Sequence, residues 1–194
     1  MDKAEETAGE TRRKDRHRTA QEIVATMRSD RERGFAMLMA RYKAPIYWHI
    51  RRLVVSHDDA QDATQETFVR TFRSIGKLKD DKALAVWLYR IATNEALRLI
   101  GRRRREVVPL DTPGHGADSL LADDFVDYSD LEAVKLQRAI LSLPTKQRLT
   151  FNLRYYDELG YDEIAKITGS TAASAKVNYH VAKDKIVRHM NTTD

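Results

Sequence analysis

Apolar positions in this chain recur mostly at three- and four-residue spacing, the period of helices with one buried stripe. The clearest case is residues 82–105, KALAVWLYRIATNEALRLIGRRRR, where Leu84, Trp87, Leu88, Ile91, Ala92, Ala96 and Leu99 form a continuous stripe. Tyr89, Arg90, Thr93, Asn94 and Arg98 fall away from its centre, and the helix runs out into Arg102, Arg103, Arg104 and Arg105. Residues 31–54 repeat Phe35, Leu38, Tyr42, Ile46, Ile50 and Leu53, with Pro45 expected to bend or interrupt the run. Ser56 is placed to cap the next helix, with Asp58 and Asp59 in its positive first turn. That helix buries Ala60, Ala63, Thr67, Phe68, Phe72 and Ile75, and its opposite face carries Asp62, Gln65, Glu66 and Val69 at i, i+3, i+4 and i+7. Gly76 ends it, and residues 77–81 form a short charged loop.

The second half repeats the helical period in shorter elements. Leu131, Val134, Ile140 and Leu141 predict a helix ending near Leu143, and Pro144 opens the next at its first helical position. In YDEIAKITGSTAASAKVNYHVAKDKI, Ala165 is followed four residues on by Gly169. A small residue where two helices cross and a glycine where the turn takes positive φ predict a helix-turn-helix. The final helix has an inner stripe of Ala172, Ala175, Tyr179, Ala182 and Ile186, leaving Ser174, Lys176, Val177, Asn178 and Val181 on its free face. Such a face suits the major groove, where Asn pairs with adenine and short side chains approach thymine methyls. Helix-turn-helix geometry also occurs in proteins that bind no DNA.

Composition divides the chain. Residues 1–20 are polar, with Arg12, Arg13, Lys14, Arg16 and Arg18 clustered, and read as a disordered basic tail. A short helical segment over residues 21–27 follows. Residues 106–130 contain no Lys or Arg but hold Asp111, Asp118, Asp123, Asp124, Asp127 and Asp130 among prolines and glycines. This is the signature of an acidic linker. The expected organisation is all-α: a tail over 1–20, a helical bundle over 21–106, an acidic linker over 107–130 and a helix-turn-helix domain over 131–190.

With 194 residues, 32% charged and a net charge of +5, the chain favours an anionic partner. Net charge does not separate nucleic acid from an acidic protein or a membrane surface. The absence of cysteine excludes disulfides and thiolate zinc sites. No run approaches the roughly 20 apolar residues of a membrane span, so no membrane insertion and a cytoplasmic location are expected. No phosphate-cradling glycine loop, nucleophile elbow or HExxH pattern appears, so nothing proposes an enzyme. The six histidines never fall at metal-ligand spacing, and no cofactor is implied. The acidic face at Asp62 reads either as solvated surface or as a docking ridge for a basic protein. The helix over 82–105 reads either as core with a solvated basic end or as a nucleic-acid surface.

The order DDAQDATQETFVRTF, then WLYRIATNEALRLIGRRRR, then a variable linker, then LPTKQRLTFNLRYYDELGYDEIAKITG resembles bacterial sigma factors of the extracytoplasmic-function type. The resemblance covers nearly all of the chain from about residue 30 to 190. It implies core RNA polymerase and promoter DNA as partners, and an anti-sigma protein as inhibitor. It places Asp62, Gln65 and Glu66 against polymerase. The minus-10 element would meet Lys77 and Lys79 of the loop, which captures an unstacked base, and Trp87, Tyr89, Arg90, Asn94 and Arg98 of the following helix. The minus-35 element would be read by Thr171, Ser174, Lys176, Val177, Asn178 and Val181. The recognition helix departs from the small-Thr-Val-Lys-Ser-Arg stretch frequent in the family: Lys176 is kept, but Asn178 stands at the Arg position. Two other readings stay open, a stand-alone helix-turn-helix regulator that binds duplex DNA without polymerase, and a nucleic-acid enzyme with an unrecognised site.

Overall fold

The computed structural model describes residues 2–54, 56–106 and 131–191, with side chains described from residue 15 onward and not for 103–106. Every regular element among them is a helix. The first, α1 (Asp2–Ser29), covers the segment expected to be a disordered tail. The segment has no proline to break it. Ala20, Ile23, Val24 and Met27, at i, i+3, i+4 and i+7, are all buried and anchor its C-terminal half. Arg28 closes the end of α1 with a forked pair of hydrogen bonds to Asp81, at 2.7 and 2.8 Å.

Asp30 separates α1 from α2 (Arg31–Val54), its carboxylate accepting from the Arg33 amide at 3.0 Å. The two helices cross so closely at Gly34 that a Cβ there would strike the Met27 backbone. Pro45 does not interrupt α2, which is continuous from Arg31 to Val54. Its buried side, Leu38, Tyr42, Ile46, Ile50 and Leu53, is packed by neighbouring helices, and that packing outweighs one missing amide donor. Ser56 caps α3 (His57–Ser74), accepting from the Asp59 amide at 3.4 Å. Along α3 the buried Thr64, Thr67 and Thr71 each donate to the carbonyl four residues back, so their hydroxyls are satisfied. Short 3-10 turns at Ile75–Lys77 and Asp81–Ala83 frame the loop, and α4 (Leu84–Glu106) follows.

The second half consists of α5 (Leu131–Leu141), α6 (Thr145–Tyr155), α7 (Tyr161–Thr168) and α8 (Ala172–Asn191). Pro144 has φ −53° and ψ 142°, so it is the residue before α6 and not its first helical position. Its extended ψ gives the chain the turn between helices. Gly169 takes φ +65° at the helix-turn-helix corner, where a side chain would be strained. A small cluster of Ala139, Ile140, Leu143, Phe151, Ala182 and Ile186 lies inside this half.

The larger core is shared. Leu149, Leu153, Leu159, Ile164 and Ile167 of the second half bury into the same cluster as Ile50, Leu53, Leu88 and Ala92 of the first. Helix α7 packs on α4, and α6 on α2. Residues 107–130, where the acidic linker is expected, lie outside the described residues.

Candidate functional site

The face of α3 that the sequence marks as acidic is open to solvent. Asp62, Gln65 and Val69 are exposed and Glu66 is half-buried, with a groove of about 370 Å³ running between them and Arg98 and Arg102 of α4. The ridge is less acidic than its sequence. Arg70 donates to Glu66 at 2.7 Å and reaches the buried Glu95 of α4 at 2.9 Å, so one guanidinium stitches α3 to α4. The Arg70 hydrogen bond, against a small cost of desolvation, holds the Glu66 carboxyl below its ordinary pKa. Asp62 is then the exposed carboxylate of the ridge. Arg70 stands four residues after Glu66, the spacing of a helical ion pair, so the sequence itself carries the signal for this partner.

The loop before α4 presents Lys77 and Lys79 outward while Leu78 is buried between them. With Leu78 buried and Asp81 gripped by Arg28, the loop is anchored before any ligand arrives. On α4 the site residues separate. Arg90 and Asn94 are exposed, and Arg98 is exposed but tied to Glu95 at 3.0 Å. Trp87 is partly buried against the core.

Tyr89 does not lie on an open face, contrary to the sequence pattern. It is 6% exposed, and its hydroxyl donates to Asp157 of the second half at 3.3 Å. Thr93, one turn on, is 1% exposed and bonds the ring of His49, whose other nitrogen faces Asp157 at 3.1 Å. Arg52 approaches the same carboxylate at 3.6 Å. Burial first, and then the charge and hydrogen bond of Asp157, push the Tyr89 phenol far above its ordinary pKa and keep it a donor. Periodicity marks both residues as lying off the central stripe, and both are buried because the second half covers them. His49 and Asp157 are 108 residues apart, and no local spacing announces such a pair.

In the helix-turn-helix, Val177 is 62% exposed, and Thr171, Ser174 and Lys176 are exposed too. Asn178 and Val181 are half-buried. Ser174 and Asn178 form one side of a cleft of about 240 Å³ whose other side is Thr93, Asn94 and Leu97 of α4. The structure thus brings a minus-10 candidate and two minus-35 candidates to a single cleft. Lys176 is about half a helical turn from Ser174 and points elsewhere.

Two family models match: Sigma-70 region 2 over residues 38–106, and Sigma-70, region 4 over residues 133–186. The ECF RNA polymerase sigma factor SigW of Bacillus subtilis (strain 168) is 30% identical over 168 residues, covering 81% of this chain and 89% of SigW. The chain belongs to the extracytoplasmic-function family of RNA polymerase sigma factors. The sigma factor is also similar to the RNA polymerase sigma-H factor of Pseudomonas aeruginosa, at 29% identity over 175 residues, with 86% of this chain and 91% of that one covered. Its fold matches CnrH, solved in complex with the cytosolic domain of CnrY, at a TM-score of 0.70 and 19% identity, covering 91% of this chain and 99% of that one. It also matches the Bartonella quintana sigma factor RpoE, solved in complex with the anti-sigma factor NepR, at 0.65 and 19%, covering 82% of this chain and 98% of that one. At that identity these structures speak for the fold alone. The ridge and α4 of the sigma factor fall in its region 2 match, and its helix-turn-helix in the region 4 match. The whole of α1 precedes both.

Proposed function

We propose that this sigma factor docks on core RNA polymerase through the α3 ridge of Asp62, Gln65 and Glu66, and engages promoter DNA through two separate surfaces. The loop lysines Lys77 and Lys79 and the α4 residues Trp87, Tyr89, Arg90, Asn94 and Arg98 take the melted minus-10 strand. Aromatic and guanidinium groups suit this role because they stack on bases and pair with phosphates. Capturing a base outside the duplex offsets the unpairing cost of about a few kcal/mol. The α8 face of Ser174, Val177, Asn178 and Val181, flanked by Thr171 and Lys176, reads the minus-35 duplex. The factor acts in the cytoplasm, performs no bond chemistry itself, and is held in check by an anti-sigma protein.

The carrying observation is the solvent-facing ridge, which keeps its Asp62 carboxylate exposed in a chain of net charge +5. A stand-alone regulator would leave that ridge and the adjoining groove without a purpose. One further requirement follows from the geometry. Tyr89 is covered by the second half, and Asn94 shares a cleft with Ser174 and Asn178, so promoter engagement needs the halves to move apart.

Reconstitution with core polymerase tests the reading. Asp62→Lys, alone and with Glu66→Lys, is expected to weaken polymerase binding by ~10-fold or more, because like charges then face each other at the interface. Binding to a free minus-35 duplex should be unchanged. Asp62→Lys alone is the cleaner change, since loss of Glu66 also releases one bond of Arg70. Unchanged polymerase affinity in both variants would reduce the ridge to ordinary surface.

A further inference from the structure

A cavity of about 400 Å³ opens where α1, α2 and α4 meet the turn after α6. It is larger than an inorganic ion needs and falls in the range of ~300–1,000 Å³ typical of organic ligands. Arg16 from α1 and Arg41 and Arg52 from α2 line it, against Asp157 as the carboxylate of the lining. Arg52 pairs loosely with Asp157 at 3.6 Å, and Arg16 with Glu163 at 3.5 Å. No carboxylate among the described residues lies within 4.0 Å of the Arg41 guanidinium. The wall is therefore cationic.

Tyr42 also lines the cavity. Its side chain is 5% exposed, and its buried hydroxyl has no hydrogen-bond partner. Leaving such a group unpaired is costly, and the cost is relieved if something in the cavity accepts from it. Burial raises the Tyr42 pKa, and Arg41 and Arg16 pull it the other way, so at neutral pH the phenol is a donor. The rest of the lining is planar and apolar: Trp48 stands 45% exposed at the rim, and the Tyr156 ring lies under the Arg52 guanidinium at 4.1 Å.

We infer that this cavity is a binding site for a free nucleoside phosphate, with Tyr42, Arg41 and Arg16 on its phosphates and Trp48 and Tyr156 beside its base. Guanidinium groups and a phenol hydroxyl supply donors to phosphate oxygens, and the aromatic walls supply stacking area. Tyr156, Asp157 and Leu159 belong to the second half, so the occupant touches both halves and stabilises them together. On the reading given under Proposed function, in which promoter binding needs them apart, the nucleotide opposes promoter engagement.

The test is titration of the full chain with GTP, followed by tryptophan fluorescence and by thermal melting. Saturable binding and a rise in melting temperature at ~1 mM GTP are expected. Tyr42→Phe should weaken binding ~10-fold, the scale of losing one hydrogen bond to a charged group. The same variant without ligand should melt no lower than the wild type, because it removes an unpaired hydroxyl. Arg41→Ala, at an exposed residue, should weaken binding by at least as much. Wild-type GTP affinity in both variants, or no saturable response, overturns the inference. So does a melting shift from inorganic phosphate equal to that from GTP, or binding of a single-stranded oligonucleotide where GTP does not bind. Failure of the wild-type chain to bind GTP, alongside intact polymerase docking through the ridge, sinks this inference alone, since the ridge experiment reads a different surface.

Discussion

Lys176 and Asn178 stand two residues apart on α8 and face different surroundings. Asn178 lies in the cleft beside Ser174, while Lys176 is exposed on another flank of the helix. On the proposed function, a lysine there meets phosphate as a point charge, whereas an amide in the groove reads donors and acceptors on base edges. Lys176→Ala is expected to weaken promoter duplex binding evenly across sequences and to lower the salt slope by about one. Asn178→Ala is expected to relax base preference, at a cost of about 1–3 kcal/mol for the preferred site. Binding titrations over a salt series and a panel of duplexes separate the two, and an unchanged preference after the second change would move base reading elsewhere. At this scale legibility followed distance along the chain. The i, i+3, i+4 pattern of Asp62, Gln65 and Glu66 marked a solvent-facing ridge because a helix face is a local property. The burial of Tyr89 and Thr93 was not legible, because the residues that cover them come from the other half of the chain.

Among the elements, α1 shows how a polar segment is held in helical form. Its composition resembles a tail, but the stripe of Ala20, Ile23, Val24 and Met27 seats its C-terminal half against α2, and Arg16 and Arg28 reach carboxylates elsewhere in the fold. The sequence pattern predicts a helix over residues 21–27 only, since the apolar stripe is confined to that end and the residues before it are mostly polar and charged. The α1–α2 crossing depends on Gly34. A methyl group there meets the Met27 backbone, which has no freedom to swing aside as a side-chain end would. Gly34→Ala is accordingly expected to destabilise the fold by about 1–3 kcal/mol, the usual cost of overpacking, offset in part by the better helix propensity of Ala. Urea denaturation gives the value, and a neutral or stabilising result would show that the helices separate freely. The helix-turn-helix was the most legible element, because Gly169 and the small residues around it carry their backbone requirement in their own side chains.

For the whole molecule, the junction at Asp157 holds the two halves together and, on the proposed function, limits access to the DNA-binding surfaces. Its buried carboxylate serves His49, Tyr89 and Arg52 of the first half. Asp157→Ala leaves those groups facing an empty site, and removing one partner of such a buried set costs roughly 3 kcal/mol, close to a hundredfold in the balance between joined and separated halves. The expected outcome is a larger radius of gyration by small-angle scattering and tighter binding to single-stranded minus-10 DNA; an unchanged radius would place the hold elsewhere. The helical class and the order of the two halves were readable from periodicity, whereas their common core was not. Residues such as Leu149 and Ile167 look the same in sequence whether they pack within their own half or across the junction.

That common core gives the junction a thermal character. Leu153, Leu159, Ile164 and Ile167 meet the first half through hydrocarbon as well as through the Asp157 carboxylate. Parting the halves wets that hydrocarbon and raises the heat capacity, so the free energy holding them together is curved in temperature. Its apolar share fades on cooling. The hydrocarbon part of the hold is therefore weaker in the cold, and the balance between joined and separated halves shifts with temperature before any helix melts.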